Sequence, residues 1–214
     1  MRTPQQERSR VTQQRLLDAT VDCLVEYGWA GTTTTLIAER AQVSRGAQLH
    51  HYPTKTALVL AAVTHLTQRR AAEIRAEAQA ESALSPDGRV GRVVDLLAAA
   101  FTGPLFIAAI ELWVAARTDP ELRAALEPLE ARIGRDMHHL AVSLLGADES
   151  RPGVRQAVQA TLDLLRGLGV ANLLTDDRQR RDALLVGWKR QLVDQLLLAQ
   201  PVPDGETVLC GHKR

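Results

Sequence analysis

The chain has 214 residues, 45% of them hydrophobic and 24% charged, which is enough to bury a core and excludes a wholly disordered protein. Its 26 Lys and Arg against 25 Asp and Glu leave a formal charge of +1, so any hold on a polyanion has to come from placed side chains and symmetry rather than from a bulk positive field. Residues 1–55 carry seven Lys and Arg against five acids, a small N-terminal surplus. Cys23 and Cys210 give no disulfide framework, the polar start lacks an apolar signal core, and no apolar run nears the roughly 20 residues of a membrane span. A cytoplasmic protein with no membrane partner is therefore expected.

In chain order, residues 1–8 read as a polar arm, disordered without a partner. From Arg10 to Tyr27, Leu17, Val21, Leu24 and Val25 recur on one helical face, where Cys23 reads as a small core residue. Gly28 is placed to end that helix in a left-handed conformation, and Gly31 to turn the chain again. The Thr33 and Thr34 hydroxyls are positioned to cap a helix reaching about Ala41, with Ile37, Ala38 and Ala41 as its apolar stripe and Val43 following across a tight turn. Ser44 caps a second short helix to His51. Pro53 forces an extended residue, and Thr54 caps a long helix to about Glu81.

Ser85-Pro86-Asp87-Gly88 is the clearest turn, followed by a helix over Arg89–Thr102 and another over Leu105–Arg117. Thr118-Asp119-Pro120-Glu121 starts the next, with Thr118 and Glu121 as a capping box. It runs to about Leu145, and Pro128 is expected to kink it. A loop from Gly146 to Gly153 precedes two last helices, about Val154–Thr175 and Arg178–Ala199. No strand pattern appears before the C-terminal tail, and no repeat or low-complexity tract is visible. The fold class is all-α with about nine helices.

The helix after Ser44 is polar on its outer face and carries Arg45, Gln48, His50 and His51, side-chain types that reach base edges and phosphates. Its first turn would lie closest to bases in a major groove. Arg45 can take guanine O6 and N7 together, and Gly46 lets the backbone approach the duplex. Thr33, Thr34, Ser44 and Lys55 sit at helix starts, suited to phosphates. Gln48 either reads adenine or turns inward to a bridging hydrogen bond.

Short helix, tight turn, second helix and Pro-Thr-Lys corner together resemble the helix-turn-helix of the tetracycline-repressor (TetR) family of regulators. The resemblance rests on Thr33-Thr34 before Ile37-Ala38, on Val43-Ser44-Arg45-Gly46, on His51-Tyr52-Pro53 and on Lys55. The specific motif covers about residues 10–60. A looser likeness runs through Phe106–Trp113 and Arg117-Thr118-Asp119-Pro120-Glu121-Leu122, and helix number and order agree along the whole chain. The resemblance implies that Thr33, Thr34, Arg45, Gly46, Ala47, His51 and Lys55 face DNA.

Three departures from the family pattern stand out. Gln42 occupies a turn position where glycine is common, Gln48-Leu49 stands where Leu-Tyr is common, and Tyr52 replaces a usual Phe, its ring expected against the first helix. His50 is then a candidate to supply the phosphate contact of the missing tyrosine.

The chain accordingly divides into an arm (1–8), a DNA-binding domain (9–69, motif 33–52) and a helical effector-binding and dimerisation domain (70–214). Two recognition helices about one DNA turn apart require a dimer and a palindromic operator, with repression preferred on family grounds. Leu162, Leu165, Leu168, Leu185, Trp188, Leu192 and Leu196 on the last two helices are the candidate interface, Gly167 and Gly169 allowing close helix contact; the same leucines would otherwise close the core of one protomer. Phe101, Phe106, Ile110, Trp113 and Met137 are candidates to line a cavity for a small, largely apolar effector, with Glu111 or His138 as polar anchors, though the same residues suit a packed core.

The adjacent pairs His50-His51 and His138-His139 point about 100° apart on a helix, which makes no bidentate metal site. No cofactor is implied. A helical enzyme using Glu111, His138 or His139 lacks any nucleophile, base and acid set, and would not need the Ser44–Lys55 arrangement. An effector-independent DNA-binding protein would have a filled core instead of a cavity.

Overall fold

The computed structural model describes residues 4–80 and 84–197, and these form nine α-helices. They are α1 (Pro4–Gly31), α2 (Thr34–Arg40), α3 (Arg45–His51), α4 (Lys55–Ala80), α5 (Pro86–Ala100), α6 (Pro104–Ala116), α7 (Pro120–Leu145), α8 (Val154–Ala171) and α9 (Arg178–Leu197). Proline opens α1, α5, α6 and α7, where its missing N–H removes no helical bond. Ser85 caps α5 by accepting from Gly88 N at 3.2 Å, so that helix begins three residues before the expected Arg89. Asp119, not Thr118, caps α7, its Oδ1 accepting from the Glu121 and Leu122 amides at 3.1 and 3.0 Å. Helix α7 runs unbroken through Pro128, whose exposed position leaves the carbonyl one turn earlier open to solvent.

Two further boundaries differ from the sequence expectation. Helix α1 already starts at Pro4, so residues 4–8 are helical rather than an arm; residues 1–3 lie outside the described part. Its buried face is wider than the four-residue stripe, because Leu16, Ala19, Thr20 and Cys23 join Leu17, Val21 and Leu24, while Val25 turns to solvent. Helix α8 stops at Ala171 instead of Thr175, leaving Leu174 almost fully exposed. The expected ends of α4 near Glu81 and of α9 near Ala199, and Cys210, lie outside the described residues.

Helices α1 and α4 pack side by side, and α6 and α7 close over them. One apolar cluster therefore runs from Leu16, Leu24, Ile37 and Leu58 in α1, α2 and α4 to Ala108, Leu112, Leu122 and Leu126 in α6 and α7. A second cluster joins α5, the start of α6, the end of α7, α8 and α9. The N-terminal helices thus share a core with the body instead of hanging from it.

That second cluster overturns the expected dimer contacts. Leu162, Leu165, Leu168, Leu185, Leu192 and Leu196 are each no more than 6% exposed within a single protomer. Trp188 is half-buried, with its indole N–H donating to Thr161 Oγ1 of the same protomer at 3.0 Å. The wide apolar stripe is buried because α5 lies across both α8 and α9 and supplies Val90, Val93, Val94 and Leu97. Gly169 serves the same intrachain packing: a Cβ there would lie 2.1 Å from the Phe101 carbonyl oxygen. Gly167 faces open space.

Candidate DNA-reading head and effector cavity

The reading head is assembled from local bonds. Thr33 Oγ1 accepts from Leu36 N at 3.1 Å and starts α2; Thr34 is the first helical residue and does not share the capping. The turn out of α2 is closed by Gln42 N to Glu39 O at 3.0 Å and Val43 N to Ala38 O at 2.9 Å. Gln42 takes φ 54°, the left-handed conformation for which glycine is the usual choice, at about 1–2 kcal/mol for a residue with a Cβ. Ser44 Oγ then accepts from Ala47 N at 3.2 Å and starts α3. Both cap hydroxyls keep their own O–H free to donate outward.

On α3, Arg45, Gly46, Leu49 and His50 face solvent, with Ala47 and His51 half-buried. Nothing lies within 4 Å of a Cβ built on Gly46, so the protein itself does not demand glycine there. Gln48 takes the inward one of its two expected orientations. It is fully buried, and its Nε2 donates to the Tyr52 carbonyl at 2.6 Å, so it pins the end of α3 and cannot read a base. Its Oε1 has no hydrogen-bond partner, an orphaned acceptor worth about 1–3 kcal/mol. The Tyr52 ring packs against the N-terminal core as expected, and burial raises its phenol above the usual range.

Lys55 is a correction. Its ammonium donates to the Trp29 and Thr32 carbonyls at 2.7 and 3.1 Å and lies 3.7 Å from the Trp29 ring centroid. This is a C-terminal cap for α1, which ties the first helix to the start of α4. Desolvation lowers the Lys55 pKa, with Asp119 opposing the shift. A lysine so engaged is not free to meet a phosphate. Arg40 is likewise held at the surface by Glu26 and Tyr27.

Beneath the head lies a cavity of about 840 Å³, within the range of roughly 300–1,000 Å³ typical of small-molecule sites. Val21 of α1 and Val63 and Leu66 of α4 form one wall, and Ile133 and Met137 of α7 another. Phe101, Phe106 and Trp113 close the third side in successive edge-to-face pairs, with centroids 5.4 and 6.1 Å apart. Of the residues expected around an effector, Phe101, Phe106, Trp113 and Met137 therefore meet at this cavity.

The other three do not line it. Ile110 packs into the second apolar cluster. Glu111 turns toward the kink in α1, where Gly28 holds φ 63° and a Cβ would come 2.7 Å from Glu111 Oε2. His138 is buried against the loop after α7, with Nε2 2.7 Å from Glu149 Oε1, a contact that holds the Glu149 carboxyl below its usual range. Sequence reading missed the contributions of α1 and α4. The i, i+3 pair Val63 and Leu66 was visible but belongs to a stripe that also serves the core. It also missed Glu130, an acid with no motif around it, half-buried at the cavity. Burial pushes its carboxyl above the usual range, with Trp113 and Arg166 opposing.

Comparison with known proteins agrees with this architecture. A family profile described as "Bacterial regulatory proteins, tetR family" matches residues 16–62, which span most of α1 through the first turns of α4. The HTH-type transcriptional regulator CymR of Pseudomonas putida is 34% identical over 190 residues, covering 84% of this chain and 88% of CymR. Among solved structures, a transcriptional regulator from Rhodococcus sp. Rha1 superimposes with a TM-score of 0.67 at 19% identity, over 86% of this chain and 96% of that one. A TetR-family member from Streptomyces coelicolor A3 gives 0.60 at 24%, over 83% and 97%. The two structures speak to fold alone.

Proposed function

Because the chain belongs to the TetR family of transcriptional regulators, we propose that it is a cytoplasmic homodimeric repressor that a small, largely apolar ligand releases from a palindromic operator. The observation that carries this reading is the position of the cavity. One of its walls is α4, and α4 starts at Lys55, four residues after the end of the candidate recognition helix. Lys55 clamps that same point to the end of α1, whose Val21 lines the cavity. A ligand that separates α1 and α4 from α7 tilts the reading head on the body. In a dimer this changes the distance between two heads that must match half-sites roughly 34–36 Å apart. The ligand weakens operator binding only by its differential affinity for the two geometries.

In this scheme Arg45 reads a base pair, the Gly46 backbone approaches the duplex, and Ala47 packs beside it. Thr33, Thr34, Ser44, His50 and His51 position the head on phosphates. The second protomer is placed against the outer faces of α8 and α9. There Ala160, Gly167 and Ala171 form an exposed small-residue stripe, and Leu184 is 45% exposed beside Gly187.

The experiment is titration of a bound operator duplex with apolar small molecules, comparing the unaltered protein with Ala109→Trp, which fills the cavity. A repressor of this kind releases DNA when a ligand is found, and the filled variant binds DNA but ignores the ligand. Equal release from both proteins would place the effector elsewhere. An effector-independent regulator would need the same place to be packed solid.

A further inference from the structure

The geometry points to a cationic amphiphile as the effector: an apolar body held by the Phe101, Phe106 and Trp113 rings, with its positive head against Glu130. This rests on the reading of the cavity as the effector site and names the chemistry that the site selects.

The charges around the cavity are matched except on one side. At the rim, Arg69 pairs with Asp18 at 3.1 Å, and Arg70 pairs with Glu73 and Glu77 at 3.3 and 3.1 Å. Arg166 is turned to Asp163 on its own helix at 2.6 Å. Its guanidinium carbon lies 5.8 Å from the Phe101 centroid. Glu130 has no ion pair among the described residues, and neither does Asp22 at the mouth. The cavity is therefore short of positive charge, and the shortage is centred on a half-buried carboxylate.

The surroundings of Glu130 suit an organic cation better than water or a metal. Trp113, its neighbour, aims its buried indole N–H at this carboxyl and helps hold its charge, but too loosely to complete a well-formed hydrogen bond. The negative faces of Trp113 and Phe106 attract a soft cation, and burying its alkyl body gains the apolar contact that a hydrated ion cannot. No group of three or more His, Cys, Asp or Glu among the described residues can hold a metal ion there. An anionic amphiphile would bring its charge toward Glu130 and would have to take Arg166 from Asp163.

The test uses one tail with three heads, each below its solubility limit or micelle-forming concentration. Full-length protein is titrated by calorimetry with decyltrimethylammonium, decanol and decanoate. The cation is expected to bind at least about tenfold more tightly than decanol, with decanoate weakest. Glu130→Gln should remove the preference for the cation and leave decanol binding unchanged, while Glu130→Asp should retain part of it; equal thermal midpoints check that the fold is intact. Decanol binding with no preference for the cation would overturn the charge inference and leave the effector cavity standing. Tightest binding of decanoate, or a preference untouched by Glu130→Gln, would also overturn it. Binding of none of the three would overturn both the inference and the cavity on which it rests.

Discussion

The reading head and the cavity solve opposite problems with similar residues. In the head, the polar groups that hold the helices are consumed within the head itself. Thr33 and Ser44 cap their own helices, Gln48 bonds the Tyr52 carbonyl four residues away, and Lys55 closes the end of α1. What remains outside is a small rigid surface of Arg45, Gly46, Leu49 and His50. In the cavity, by contrast, α1, α4 and α7 and the corner between α5 and α6 contribute side chains from distant parts of the chain, and Glu130 has no ion pair among the described residues. A short segment fixed by its own bonds can present a constant surface to DNA. A void bounded by several helices can be reshaped by what enters it.

The sharpest break between intrachain packing and free surface is expected on α8. Gly169→Ala would push a Cβ into the Phe101 carbonyl and Phe106 ring, and should destabilise the protein by about 3 kcal/mol, read from the denaturant midpoint. Gly167→Ala, two residues earlier and facing open space, should be neutral or gain up to about 1 kcal/mol. Loss of similar size from both would mean that α8 does not sit on the α5–α6 corner.

On the head, Arg45→Ala should lose about 1–3 kcal/mol of discrimination at one base pair of each half-site without shifting the thermal midpoint. A uniform loss over all sequences would make Arg45 a phosphate contact. Gly46→Ala separates fold from function more finely. With no atom near the added Cβ it should fold at least as stably, yet bind operator several-fold more weakly if the backbone approaches the duplex. Unchanged operator affinity would remove Gly46 from the interface. The smallest effect is expected from Gln42→Gly, a gain of about 1 kcal/mol in stability from relieving the left-handed residue. A loss there would show that the Gln42 side chain earns its place by contacts.

What the sequence disclosed follows the same division. The helix-turn-helix was legible because its signals are local, hydroxyl caps and Ile37 and Ala38 at helical spacing, while the special turn position of Gln42, left-handed in the structure, was legible only through the family pattern. Within it, Gln48 was legible only as a choice between a base and an inward hydrogen bond, and the role of Lys55 was not legible, since sequence spacing does not reveal which carbonyl a long polar side chain reaches. In the body, the stripe Leu162, Leu165, Leu185, Leu192 was correctly seen as apolar but given to the wrong partner. Periodicity shows that a face must be buried and not whether α5 or a second protomer buries it. Phe101, Phe106, Trp113 and Met137 were found because bulky residues stood near small ones. Ile110, Glu111 and His138 share that pattern but point to other neighbours, and only packing distinguishes them.

The central claim is that two copies of the α3 surface read DNA as a symmetric pair. Its most direct test is selection of bound sequences from random duplex DNA by the purified full-length protein at physiological salt. The account predicts a palindrome whose half-site centres lie about one helical turn apart, with Arg45→Ala relaxing one symmetric position. Protein shown to be folded that enriches no sequence, or a single unpaired site, would contradict it.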